Sequence, residues 1–287
     1  APTAQIDGNS ISGQVLVEIR THVTEQTRVL SDRNHRPYPA ENVNERDAVL
    51  SMREWEDGPA TIIPREDWSF SKLTNAGLIP SADHIYMDNG FQPGLIYQVI
   101  YTTNSCPVVG TGLLAVRDAA SWIRTPSTDN PIGGGFQRVY GYGISQTGRL
   151  LRHFVYLGLN LDEKRDKVFD GLLPHVAGGR MGQFNHRFAQ PSCQSTAGFG
   201  HLFPFADDEM TDVFTNKTDG LLKRQRELGK VPKIIYTNSS TEYWRGDASL
   251  IHLDPHTTED LQESQESRIY LFSGTQHVAG PFPMSTD

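Results

Sequence analysis

No run of 18 apolar residues occurs in this 287-residue chain, and its strongest β-like stretch, Leu95 to Tyr101, is interrupted by Gln98. That absence excludes a transmembrane helix. Cysteine is scarce: Cys106 and Cys193 allow one disulfide at most and match neither a CxxC redox pair nor a zinc pattern. No Lys/Arg run is longer than two residues, and a formal charge of -8 repels phosphate backbones, which argues against nucleic acid as a partner. None of the ten histidines forms an HExxH pair, which argues against a metallohydrolase, and no cofactor motif or internal repeat is present. The acidic stretch Asp207-Asp208-Glu209 with Asp212 misses the spacing of an EF-hand loop. It reads as a solvated acidic face and not as a calcium site.

What is present suits one large core, since 37% of the residues are hydrophobic and 21% charged. We therefore expect a single domain over residues 1–287. Residues 1–92 are rich in Asn, Arg, Pro and Asp and, beyond the alternating Val15 to Ile19, show little periodicity; they read as an irregular excursion. From Gly94 the composition turns β-branched and aromatic, and strand-like runs at Leu95–Tyr101, Arg138–Tyr142, Lys167–Val176, Val231–Tyr236 and Arg268–Phe272 alternate with helical patterns. Such alternation predicts an α/β fold, a mostly parallel sheet with helices on both faces. Residues 180–230 exceed a simple connection and read as a cap insertion over the functional site. The opening Ala-Pro-Thr-Ala suits a mature exported protein, favouring a periplasmic or secreted setting over a cytoplasmic one. Asn216-Lys217-Thr218 and Asn238-Ser239-Ser240 are glycosylation acceptors only in a eukaryotic secretory context.

One strand–turn–helix junction carries a candidate nucleophile. Gly143-Ile144-Ser145-Gln146-Thr147 follows a strand and precedes the amphipathic run Leu150 to Val155. It resembles the G-x-S-x-G elbow of α/β-hydrolases, with Thr147 in place of the second glycine. Crowding of the following helix against the neighbouring strand demands a small residue there, and Thr is the largest that fits. A serine hydroxyl needs a base oriented by a carboxylate, and in this fold the chain order is Ser, acid, His, each after a strand. Glu242 follows the strand at 232–237, with Asp247 and Asp254 as competitors; His277 follows the strand at 268–272, while His252 and His256 are worse placed. His153, His175, His186 and His201 precede the acid and read as structural or pocket-lining. The amide of Gln146, at the helix start, is the expected oxyanion donor.

Six strings in order extend the likeness: Phe91-Gln92-Pro93-Gly94-Leu95-Ile96-Tyr97, Gly112-Leu113-Leu114-Ala115-Val116-Arg117-Asp118, Gly143 to Arg149, Phe184-Asn185-His186-Arg187-Phe188, Thr241-Glu242-Tyr243-Trp244 and Gly274-Thr275-Gln276-His277. Together they resemble the bacterial alpha/beta hydrolase domain-containing proteins. The resemblance runs from about Gly13 onward and implies the same Ser145, Glu242 and His277. It further implies that the chain corresponds to the central and C-terminal part of longer members. An upstream strand and loop that would carry a second oxyanion donor is missing, so a further polypeptide segment or subunit would complete the fold.

These readings converge on a serine hydrolase that cleaves a small-molecule carboxylic ester through an acyl-enzyme, without cofactor, metal or membrane. Asn185, His186, Arg187 and Phe188 are candidates to line the substrate pocket, or equally to pin the cap to the core. The alternatives are an inactive hydrolase-fold binding or assembly protein, and an amidase or acyltransferase using the same three side chains.

Overall fold

The computed structural model describes all residues except 1, 32–34, 56–57, 185, 190–202, 214, 263, 279 and 281–287. Contacts divide the chain into two units, Ala1–Gly110 with Gln183–Phe199, and Thr111–Gly182 with Gly200–Asp287. Composition leads to the expectation of one domain over residues 1–287; the contacts group the chain into these two compact units.

The first unit is built from β-strands, which corrects the reading of residues 1–92 as irregular. An antiparallel sheet joins β1 (Gly13–Ile19), β3 (Val49–Arg53), β4 (Thr61–Ile63) and β7 (Ile96–Thr103) in the order β1-β7-β3-β4. A second has the order β2-β6-β5, from β2 (Glu25–Val29), β5 (Trp68–Ser69) and β6 (His84–Phe91). Along β1 the side chains of Val15, Val17 and Ile19 turn inward, and along β7 those of Tyr97, Val99 and Tyr101. They share one core with Leu30, Phe70, Ile85 and Phe91, and edge-on rings join the sheets, Phe70 to Tyr101 at 5.4 Å and Phe91 to Tyr97 at 5.0 Å. The expected strand at residues 95–101 thus exists, but it pairs antiparallel with β1 and β3 and does not join a parallel sheet. Cys106 is buried in this unit; Cys193, its candidate partner, lies outside the described residues.

The second unit holds the parallel sheet. Its strands β8 (Tyr140–Ile144), β9 (Gly171–His175), β10 (Lys233–Ser239) and β11 (Ser267–Phe272) lie in sequence order, all parallel. Helices α1 (Thr111–Arg124), α2 (Gln146–Tyr156), α3 (Lys223–Leu228) and α4 (Ser240–Arg245) accompany it. On one face the strands place Leu172, Pro174, Ile234 and Tyr236, all buried, and α2 buries Leu151, Phe154 and Val155, with Phe154 edge-on to Phe169 at 5.5 Å. Register puts Tyr140, Tyr142, Ile144, Ile235, Tyr270 and Phe272 on the opposite face, and all six are exposed. Helical cover on both faces is therefore not seen among the described residues, and parallel pairing is confined to four strands. None of the described helices is long and apolar enough to cross a membrane.

The segment 180–230 also departs from a single cap. Residues 190–202 lie outside the described residues; the described residues from Gln183 to Ala189 group with the first unit, and those from Phe203 with the second. The acidic stretch there is not a solvated face throughout. Asp207 is buried and accepts from the Tyr236 hydroxyl at 2.7 Å, and desolvation pushes its carboxyl above the ordinary carboxylate range. Asp208 pairs with Arg226, Glu209 with Lys223 at 2.5 Å, and Asp212 accepts from Thr215. Among the described residues no three His, Cys, Asp or Glu side chains are grouped as metal ligands would be.

Phe154 is fully buried, so Phe154→Ala is expected to lower stability by about 3–5 kcal/mol in urea unfolding. Trp244, 87% exposed, is the control, and Trp244→Ala should change it by less than about 0.5 kcal/mol.

Candidate active site

β8 ends at Ile144 and α2 begins at Gln146, so Ser145 alone makes the turn. Its φ of 56° and ψ of -115° are a conformation that costs a residue with a Cβ about 1–3 kcal/mol. Neighbouring bonds hold it there: Ser145 N–H donates to the His175 carbonyl of β9 at 2.8 Å, and Arg149 N–H donates to the Ser145 carbonyl at 3.0 Å. A Cβ on Gly143 would stand 2.5 Å from the Thr147 carbonyl oxygen, so only glycine fits.

Thr147 does not occupy the crowded position expected of it. The side chain is exposed, and its hydroxyl accepts from Ile144 N–H and donates to the Ile144 carbonyl, both at 2.8 Å, closing the elbow. The close approach falls one residue later, where a Cβ on Gly148 would lie 3.0 Å from Ala177 Cβ and 3.2 Å from the His175 carbonyl oxygen.

Three strands away, a turn through Gly274 at φ 74° brings His277 back toward the elbow. His277 Nε2 lies 2.9 Å from Ser145 Oγ, and its Nδ1 lies 2.5 Å from Glu242 Oε1. With Nδ1–H donating a hydrogen bond to the carboxylate, Nε2 is left to accept the serine proton. Glu242 is 4% exposed and stands in the first turn of α4, where Ser239 caps the helix. Its second oxygen, Oε2, accepts from Ser239 N–H at 2.8 Å and from the Ser239 hydroxyl at 2.5 Å. Gln146 is the first residue of α2, directly after the serine.

The competing candidates are engaged elsewhere. Asp247 pairs with buried Arg180 at 2.6 Å, and Asp254 accepts from the His256 amide at 2.8 Å. His252 bridges the Tyr243 hydroxyl and Asp260, each at 3.0 Å, while His256 Nε2 lies 3.1 Å from the Thr211 carbonyl. His153 is buried against the Gly182 carbonyl, and His175 bonds Thr237 at 2.8 Å; His201 lies outside the described residues. Asn238 is 1% exposed with its side-chain oxygen on Gly178 N–H, so it offers no surface for glycosylation.

Of the four candidate pocket residues, Asn185 lies outside the described residues, and His186, Arg187 and Phe188 belong to the first unit. His186 and Arg187 are exposed; Phe188 stacks edge-on to Tyr38 at 6.0 Å and lies against Gly13. Sequence reasoning does not single out Ser239 or Ser240, and it gives Thr147 a packing role where its hydroxyl in fact closes the elbow on Ile144. A signal for Ser239 exists in the sequence: Ser-x-x-Glu from 239 to 242 is the pattern of a helix capping box.

A family model described as alpha/beta hydrolase domain matches residues 89–286. No curated protein and no solved structure gives a significant match.

The elbow geometry makes Gly143→Ala a severe change, because the obstructing atoms are backbone. Thermal unfolding should register a loss of about 1–3 kcal/mol.

Proposed function

The chain belongs to the alpha/beta hydrolase domain family, and on that premise we propose that it is a serine hydrolase cleaving small carboxylic esters through an acyl-enzyme. The observation that carries the reading is the unbroken chain of contacts from Ser145 Oγ through His277 to Glu242 Oε1, at 2.9 and 2.5 Å, on a serine held at a sharp turn. Hydroxyl, imidazole and carboxylate so aligned match what activation of a serine requires.

In this reading His277 Nε2 removes the Ser145 proton as Oγ attacks the ester carbonyl, and Glu242 stabilises the imidazolium. Charge developing on the carbonyl oxygen is met by the Gln146 amide at the start of α2. The imidazolium returns its proton to the departing alcohol, leaving an acyl-serine. Water then adds to the acyl carbon with His277 again as base, releasing the acid and regenerating the hydroxyl. The preference for esters over amides belongs to this proposal.

Ser145→Ala should lower turnover of a short-chain p-nitrophenyl ester by at least about 1000-fold. An unchanged rate would refute the assignment. A fluorophosphonate probe should label the wild-type chain at Ser145 and leave Ser145→Ala unlabelled; failure to label the wild type would favour an inactive binding protein on the same fold.

A further inference from the structure

Glu242 and His277 come to the site by different routes, and adjacent residues hold both. Ser239, 2% exposed at the end of β10, directs its backbone N–H and its hydroxyl onto Glu242 Oε2, leaving Oε1 for His277. A capping box ordinarily serves the helix alone. Here the helix has only six residues, too few to be stable by itself, and the boxed carboxylate has a third partner outside it. Ser240 faces the other route. Its Oγ accepts from Gly274 N–H at 2.8 Å, in the exposed loop 273–276 that leads to His277. Other hydrogen bonds of that loop, from Thr275 to Phe272, stay at its own base. Among the described residues, the Gly274–Ser240 bond is the one that ties the loop to another element.

We propose that the consecutive serines Ser239 and Ser240 are positioning residues that divide the alignment of the site. Ser239 aims the acid, and Ser240 anchors the loop that delivers the base. The inference rests on the serine hydrolase reading above, and neither residue touches the reacting atoms. The effect belongs in kcat, because a misaligned carboxylate leaves ester binding intact but weakens proton transfer at the serine.

Ser239→Gly separates the two roles of Ser239. Glycine is nearly as good a helix cap as serine, so the melting temperature should stay within about a few degrees of wild type. Without the hydroxyl on Oε2, kcat on a short-chain p-nitrophenyl ester should fall about tenfold, with KM changed by less than about twofold. Ser239→Thr keeps a hydroxyl and should recover most of the rate. Ser240→Ala should lower kcat about threefold, and the low-field proton resonance of His277 Nδ1–H should broaden in both Ser239→Gly and Ser240→Ala. Ser145→Ala, run alongside, reports on the underlying reading. If it is inactive while Ser239→Gly and Ser240→Ala keep kcat within about twofold of wild type, the positioning role is overturned and the hydrolase reading stands. If Ser145→Ala keeps its activity, both fall.

Discussion

A carboxylate taken out of water must find donors, and the described structure answers that demand at Glu242 with three of them. Two come from Ser239 and the third from His277. Burying such a group without partners costs several kcal/mol. The environment of Glu242 therefore constrains everything joined to it: the cap of α4, the tautomer of His277, and through that imidazole the position of the Ser145 hydroxyl. A local turn and a long-range contact satisfy the same group.

The sheet makes that meeting possible. Parallel strands in sequence order put every strand-to-helix junction at the same end, so Ser145, Glu242 and His277 follow β8, β10 and β11 on a common rim. Neighbouring strands lie about 4.8 Å apart, so the end of β11 is about 14 Å from that of β8. The loop after β11 must reverse to cover this distance, which accounts for the left-handed Gly274 and its tether to Ser240. Tight packing at the opposite end of the rim has the same origin, since α2 can leave β8 against β9 only where Gly143 and Gly148 carry no side chain.

Legibility in the sequence followed the range of the interactions. The elbow, the strands before Glu242 and His277, and the order of the three side chains are written in short contiguous patterns, and the structure brings those three residues together. The Ser239-x-x-Glu242 box is equally local, while the G-x-S-x-G pattern puts the crowded position at Thr147 and the structure puts it at Gly148. The first unit was illegible for a physical reason. Its strands pair with partners far away in sequence, such as Ile19 with Tyr97, and several are only two to five residues long with turns rich in Asn, Pro and Arg between them. Period-two alternation over so few residues scarcely exceeds chance, and only the joint burial of Val15, Leu50, Ile85 and Tyr101 reveals the core.

The sequential order of the parallel strands also bears on how the protein is made. A chain emerging from the ribosome presents the elbow and the boxed acid before β11 and the loop behind it. On the reading advanced here, the hydroxyl lacks its base until that loop is in place. On that reading, pairing of β11 with β10 is the step that brings the base to the hydroxyl.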